Sequence, residues 1–247
     1  MKVIVSGAAG RMGTLICSLA AQGFAGAELA AAVSRRNAGA EDSVHFASIE
    51  NYQGEADVVI DFSNHSNTAA VIDYCKARKL PVVVATTGQS AEEKEIIKAA
   101  AEEIPVFFSA NMSIGVALLA ELARKAAAMF PNADIEIIEL HHNQKLDVPS
   151  GTALMLANAI KDARPEAEFL IGRHENGKRT QREIGIHSVR IGNEVGTHEI
   201  LISTGSETIT LKHEAENRSL FAEGAMTAAA YICGRQPGMY GMKDILA

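Results

Sequence analysis

The chain has 247 residues, 47% of them hydrophobic and 21% charged, with a net charge of -7. That is enough for one large domain or two modest ones, and the acidic balance excludes general nucleic-acid binding, which needs a basic face to follow phosphates. No run approaches the roughly 18 apolar residues of a membrane span, and the opening Met-Lys-Val-Ile-Val-Ser-Gly enters a strand without a signal-peptide layout. The expectation is a soluble, cytoplasmic protein with neither nucleic-acid nor membrane partner.

Lys2 to Ser6 reads as a buried strand, followed by a glycine-rich turn and a helical pattern from Thr14 to Gln22. The turn is Gly7, Ala8, Ala9, Gly10, Arg11, Met12 and Gly13. A turn of this kind between strand and helix brings backbone amides against a pyrophosphate, with the helix N-terminus behind them. The spacing is GxxGxxG, a variant of the commoner GxGxxG, and its place directly after the first strand makes Gly7 to Met12 candidate dinucleotide contacts. Glu28 to Val33 is the next strand, whose end meets the adenosine ribose in such folds. Asp or Glu at that end selects NAD, whereas Arg accommodates a 2'-phosphate. Here the residues are Ser34, Arg35 and Arg36, which favours NADPH over NADH.

Residues 38 to 51 are polar and irregular, with a short strand around Val44 to Phe46. Asp57 to Ile60 is then a continuous apolar strand ending in Asp61-Phe62-Ser63, and Thr68 to Lys79 an amphipathic helix. Pro81 to Ala85 is a further strand closing in Thr86-Thr87-Gly88; Ser90 caps a helix reaching about Glu103; Val106 to Phe108 ends in Ser109-Ala110-Asn111-Met112. Strand and helix alternate, and the strands are short unbroken apolar runs, which predicts a Rossmann-like doubly wound parallel sheet. Ligands in such sheets lie beyond the carboxyl ends of the strands, where Ala85, Thr86, Thr87, Ser109, Ala110, Asn111 and Met112 stand. Ser113 to Phe130 is a long helix leading into a second region.

Ala133 to Leu140 is a strand, and the stretch from Glu139 to Thr152, ELHHNQKLDVPSGT, follows from its end. Pro149 cannot sit in a helix interior, Ser150 is a good N-cap, and Thr152 to Ala163 is helical, so free amides near Gly151 and Thr152 face the preceding turn. Helix starts of this kind bind carboxylate or phosphate. Lys145 adds a full positive charge, and His141 and His142 offer a donor whose ordinary pKa of about 6.5 suits proton transfer. The pattern is that of an anionic substrate that must be protonated. Adjacent histidines lack the i, i+4 pairing of a zinc motif, and Cys17, Cys75 and Cys233 lie far apart with no CxxC spacing, so no metal is expected.

Pro165 to Arg182 contains a polar exposed loop at His174 to Arg179. From Ile184 the period changes to two, over Ile184 to Ile191, His198 to Ser203 and Glu207 to His213, with a hairpin turn at Gly205-Ser206. That predicts a second, α+β domain with a mixed or antiparallel sheet. Ser219 to Gly234 is an alanine-rich helix before a short tail.

The segment HHNQKLDVPSGTA resembles the signature of the dihydrodipicolinate reductases, enzymes of lysine and diaminopimelate biosynthesis, and the likeness covers most of the chain. The resemblance implies NAD(P)H-dependent reduction of 4-hydroxy-tetrahydrodipicolinate to tetrahydrodipicolinate. His141 is then the first choice as proton donor with Lys145 as partner or alternative, His142 binds a carboxylate, and Ser150, Gly151 and Thr152 grip a carboxylate of the substrate. Thr86, Thr87, Ala110, Asn111 and Met112 match loops that contact the nicotinamide ribose and ring. The family often carries an acidic residue where Ser34-Arg35-Arg36 stands and uses either nucleotide; the departure again favours NADPH. The resemblance further implies residues 1–112 completed by 219–247 as dinucleotide domain, 113–218 as substrate-binding and oligomerisation domain, and a homotetramer. Two other readings stay open: a reductase of another small imine or aldehyde, and a noncatalytic NADPH-binding sensor that would tolerate loss of His141 and Lys145.

Overall fold

A computed structural model of the chain describes residues 1–39 and 42–247; the expected irregular stretch over 38–51 therefore includes residues 40 and 41, which lie outside the described ones. The chain forms two compact units, Met1–Ser113 with Arg218–Ala247, and Ile114–Asn217.

In the first unit the strands are β1 (Lys2–Ser6), β2 (Glu28–Val33), β3 (His45–Phe46), β4 (Val58–Asp61), β5 (Val82–Val84), β6 (Pro105–Phe108) and, from the tail, β12 (Gly238–Tyr240). Among the described residues they make one sheet in the order β12-β6-β5-β4-β1-β2-β3, with every pairing parallel. Val3, Ile4, Val5, Val58, Val59, Ile60, Val82 and Val83 are all fully buried. Burial on both faces explains why these strands are apolar throughout instead of alternating. Helices α1 (Arg11–Ala21) and α6 (Ser219–Ile232) pack together, and α6 lies on β4, β5 and β6; α2 (Thr68–Arg78) and α3 (Ala91–Ala100) pack together, their Val71, Ile72 and Ile97 joining Ile4, Val59 and Val82 in one core cluster. The Ser90 hydroxyl accepts from the Glu93 amide at 3.2 Å, and the Glu93 carboxylate accepts from the Ser90 amide at 2.7 Å, a reciprocal cap that starts α3 where the sequence predicts it. A short α7 (Met242–Ile245) ends the chain.

Helix α1 begins at Arg11, three residues before the expected start, because Gly10 serves as its N-cap with extended backbone. Gly13 thus belongs to the helix, not the turn. A Cβ there would lie 2.2 Å from the Gly7 carbonyl oxygen, so only glycine lets the helix start sit against the turn.

The second unit holds α4 (Ile114–Met129), β7 (Asp134–His141), α5 (Gly151–Ala163), β8 (Glu168–Ile171), β9 (Glu183–Arg190), β10 (Thr197–Ser203) and β11 (Thr208–Glu214). Its sheet runs β11-β10-β7-β9-β8 among the described residues. The β11–β10–β7 part is antiparallel and the β7–β9–β8 part parallel, so the sheet is mixed. Strand β8 lies within the stretch from Pro165 to Arg182, where the sequence marked no strand. Helices α4 and α5 cover one face, placing Leu119, Ala123, Leu156 and Ile160 over Ile135, Ile137, Ile184, Ile186, Ile200 and Ile202. No helix among the described residues is long and apolar enough to cross a membrane.

Candidate active site

In the first unit the sequence order of strands reverses at β1, with β4 on one side and β2 on the other. A cavity of about 560 Å³ opens beside the carboxyl ends of these strands, lined by Gly7, Ala9, Gly10, Ser34, Arg35, Arg36, Phe62 and Ser63 among others. This is the switch point at which doubly wound sheets bind ligands. Gly7 has φ +85°, and a Cβ on it would sit 2.5 Å from the Phe62 carbonyl oxygen. The amides of Gly7 and Ala8 both donate to the Val33 carbonyl at 3.0 Å, and that of Gly10 to Gly7 at 2.9 Å. The turn is therefore closed on itself, and it is the first-turn amides of α1, Arg11 and Met12 among them, that have no intrahelical acceptor. Arg36 donates to the Ala9 carbonyl at 3.4 Å, which lays its guanidinium across the turn. Glycine cradle, helix start and paired arginines fit a dinucleotide phosphate.

The other predicted cofactor residues do not line that cavity. Ala85 and Thr86 are buried, and the Thr86 hydroxyl donates to the Asp61 carboxylate at 2.7 Å. Ser109 and Asn111 form a local turn, the Ser109 hydroxyl donating to the Asn111 carbonyl at 2.6 Å and the Asn111 side chain accepting from the Ser113 amide at 2.9 Å. Met112 is buried, with its carbonyl against Gly224. Thr87 and Ala110 follow the ends of β5 and β6.

In the second unit the inward face of β7 reads Ile135, Ile137, Glu139, His141, all buried. Register continues the change across the sheet: Ser188 and Arg190 on β9 stand beside Glu139 and His141, and His198 on β10 stands opposite Glu139. The apolar core thus ends in a buried polar layer at one end of the sheet. Glu139, with no exposed surface, accepts from His141 Nδ1 at 2.5 Å, from both terminal nitrogens of Arg190 at 2.8 and 3.0 Å, and from the Ser150 amide at 3.2 Å. Burial pushes its carboxyl up, but the bonds from His141 and Arg190 outweigh that and hold it well below the ordinary carboxylate range.

Ser150 caps α5, its hydroxyl accepting from the Ala153 amide at 3.1 Å, and lies 3.1 Å from His198 Nε2. His198 meets the His141 ring edge-on at 5.2 Å. Burial first, then the neighbouring His141, pull the His198 pKa down to about 3, so its imidazole is neutral at physiological pH. Strand β7 ends at His141, which leaves His142 in the following turn, free of strand alternation; its carbonyl accepts from the Lys145 amide at 3.1 Å. Lys145 pairs with Asp147 at 2.8 Å, and that contact first, with the Gly151 amide also contributing, lowers the Asp147 pKa. One carboxylate thus already rests between the Lys145 ammonium and the start of α5, where the sequence places an anion receptor. His141, Ser150 and, through the turn, His142 and Lys145 are brought to one end of this sheet; Gly151 and Thr152 open α5 above it.

Family models for dihydrodipicolinate reductase match nearly all of this chain, the N-terminal model over residues 1–112 and the C-terminal model over residues 115–246. The chain belongs to the dihydrodipicolinate reductase family. Among relatives, the 4-hydroxy-tetrahydrodipicolinate reductase of Clostridium tetani is 43% identical over 253 residues, covering 100% of this chain and 97% of that one. The enzyme of the same name from Caldanaerobacter subterraneus subsp. tengcongensis is 42% identical, covering 100% and 98%. Among solved structures, a dipicolinate-bound dihydrodipicolinate reductase from Paenisporosarcina sp. TG-14 superposes with a TM-score of 0.81 at 27% identity, covering 99% of both chains. The family resemblance read from HHNQKLDVPSGTA is therefore borne out, as is the α/β fold.

Sequence reasoning assigned no role to Glu139, Arg190 or His198. A signal was present: on the period-two strands β9 and β10, Arg190 falls in line with Ile184 and Ile186, and His198 with Ile200 and Ile202. A charged or polar residue on a face that is otherwise isoleucine marks either an error of register or a buried polar network.

Proposed function

We propose that the chain reduces 4-hydroxy-tetrahydrodipicolinate to tetrahydrodipicolinate with NAD(P)H, the reduction step of lysine and diaminopimelate biosynthesis. The overall balance is substrate, reduced nucleotide and one proton giving product, oxidised nucleotide and water. The observation that carries this reading is the buried His141–Glu139 pair beside the capped start of α5, in a chain of this family.

Loss of water from the substrate leaves a conjugated C=C–C=N ring bearing two carboxylates. The bound nicotinamide supplies the hydride. Its addition to the ring moves an electron pair onto an enamine-like skeleton, which must take up one proton. His141, its Nδ1 occupied by Glu139, has Nε2 left to supply that proton, with Lys145 as partner or alternative donor. His142, Ser150, Gly151, Thr152 and Lys145 hold the carboxylates, the substrate displacing Asp147 from Lys145. The dipicolinate of the Paenisporosarcina relative, a flat ring with two carboxylates, is of the chemical class such a receptor takes. Gly7 to Met12 hold the pyrophosphate, Ser34, Arg35 and Arg36 the adenosine end, and the loops at 85–87 and 109–112 the nicotinamide end. With arginines and no acid directly after β2, NADPH is preferred over NADH. Residues 113–218 bind the substrate and carry the contacts of a homotetramer.

The test is nucleotide consumption with substrate generated in place by the preceding pathway enzyme, for wild type, His141→Ala and Lys145→Ala, with NADPH and NADH titrated in parallel. Loss of general acid catalysis costs about 100-fold or more in kcat. Unchanged turnover in both variants would remove these residues from the mechanism, and absence of wild-type turnover would remove the reductase reading.

A further inference from the structure

Glu139 is not needed to fill space, since an apolar residue would continue the isoleucine row of β7. Replacing a buried ion pair by apolar residues of similar size is often neutral or stabilising, so the Glu139–Arg190 pair calls for an explanation other than stability. The geometry offers one. Oε2 accepts from His141 Nδ1, and Oε1 from the Ser150 amide at which α5 is capped. Arg190, in register with His141 on β9, closes a two-pronged pair on both oxygens, and its second terminal nitrogen donates as well to the Asp147 carbonyl at 2.7 Å. A single carboxylate and a single guanidinium thereby tie together the strand end, the turn and the helix start.

We infer that Glu139, locked by Arg190, is a positioning residue that sets the His141 tautomer and the place of the α5 N-terminus at once. This rests on the reading of His141 as proton donor and of the α5 start as carboxylate receptor. With the carboxylate on Nδ1, that nitrogen carries its hydrogen inward and Nε2 is the nitrogen left to work. Gly196 faces it: a Cβ at that position would lie 3.0 Å from His141 Nε2, so glycine leaves that nitrogen clearance. Orienting carboxylates play this part behind catalytic and metal-binding histidines. The charged and titratable groups around His141 are Glu139 on its own strand, Arg190 from β9 and His198 from β10, with Lys145 and His213 within electrostatic reach of His198. Neutral His198 does not compete for the proton.

The experiment uses the full chain saturated with NADPH and compares wild type, Glu139→Gln and Arg190→Lys. Glu139→Gln is expected to lose about 100-fold in kcat, in line with loss of a positioned acid, and to bind dipicolinate more weakly, because the cap amide loses its charged acceptor. Arg190→Lys keeps the charge without the two-pronged geometry and should lose about tenfold. NADPH affinity should stay as in wild type for both. A Glu139→Gln enzyme with wild-type kcat would overturn the inference, and so would a loss that only follows the fraction unfolded. Independently of the Glu139 and Arg190 variants, nitrogen-15 histidine NMR of wild type should show His141 protonated at Nδ1, assigned by its loss in His141→Gln; a neutral Nε2-protonated His141 would overturn it too. Absence of wild-type turnover would instead strike the functional reading itself.

Discussion

Glu139 and His198 are both buried ionisable residues on facing strands, and they resolve the cost of burial in opposite ways. Glu139 keeps its charge by accepting hydrogen bonds from His141 and Arg190, whereas His198 gives its charge up, with a pKa of about 3 against 6.5 unperturbed. The sign of the consequence follows by linkage. Below pH 6.5 the unfolded chain binds a proton at His198 that the folded chain refuses, so stability is complete above that pH and falls as pH drops toward about 3. The slope from this one group is about 1.4 kcal/mol per pH unit. Glu139 acts with the same sign but only below the ordinary carboxylate range, and His213, also lowered by burial, adds to the histidine part. Urea unfolding from pH 6.5 to 5 should therefore show stability declining in wild type and a shallower decline in His198→Gln. Equal slopes would mean that His198 is not held neutral in the folded protein.

At the scale of elements, the second unit depends on how α4 and α5 meet. Arg164, just past the end of α5, sends its guanidinium to the carbonyls of Ala127, Phe130 and Ala133, at 3.3 Å to Ala127 and 2.8 Å to Ala133. Those carbonyls lie at and just after the end of α4, where helices leave acceptors unpaired, so Arg164 caps one helix from another. Arg164→Ala should cost about 1–3 kcal/mol, with Arg164→Lys recovering only part because it lacks the fork. The chain has no Trp, so far-ultraviolet circular dichroism in urea is the measurement; an unchanged midpoint would deny the cap its role. Elements of this kind were readable from sequence where one physical rule dominated. The doubly buried strands of the first sheet announce themselves as unbroken valine and isoleucine runs, and Ser90 with Glu93 marks a helix start. Strands β8 and β12 did not, being four- and three-residue edge strands without room for a period. The start of α1 was misplaced because Gly13 reads as turn until the close approach of Gly7 is known. The stretch from His141 to Thr152 stood out in the sequence because its polar and cationic residues are contiguous. Arg190 and His198 were assigned no role, since their partners Glu139 and Ser150 lie 51 and 48 residues away along the chain and only the fold unites them.

At the scale of the whole molecule, the proposed function gives the two units different tasks. The first unit carries a glycine-lined cavity at its switch point, where the proposal seats the nucleotide. The second carries the buried His141–Glu139 pair beside a capped helix start, where the proposal seats the substrate. The proposal stands or falls on whether the hydride of the nucleotide reaches the substrate ring. The most direct measurement is isotope transfer: the enzyme is given NADPH deuterated at the transferable position of the nicotinamide, together with substrate formed in place, and the product ring is analysed by mass spectrometry. The account predicts tetrahydrodipicolinate one mass unit heavier, with the deuterium on ring carbon; product formed without deuterium, or nucleotide consumed with the label lost to water, would contradict it.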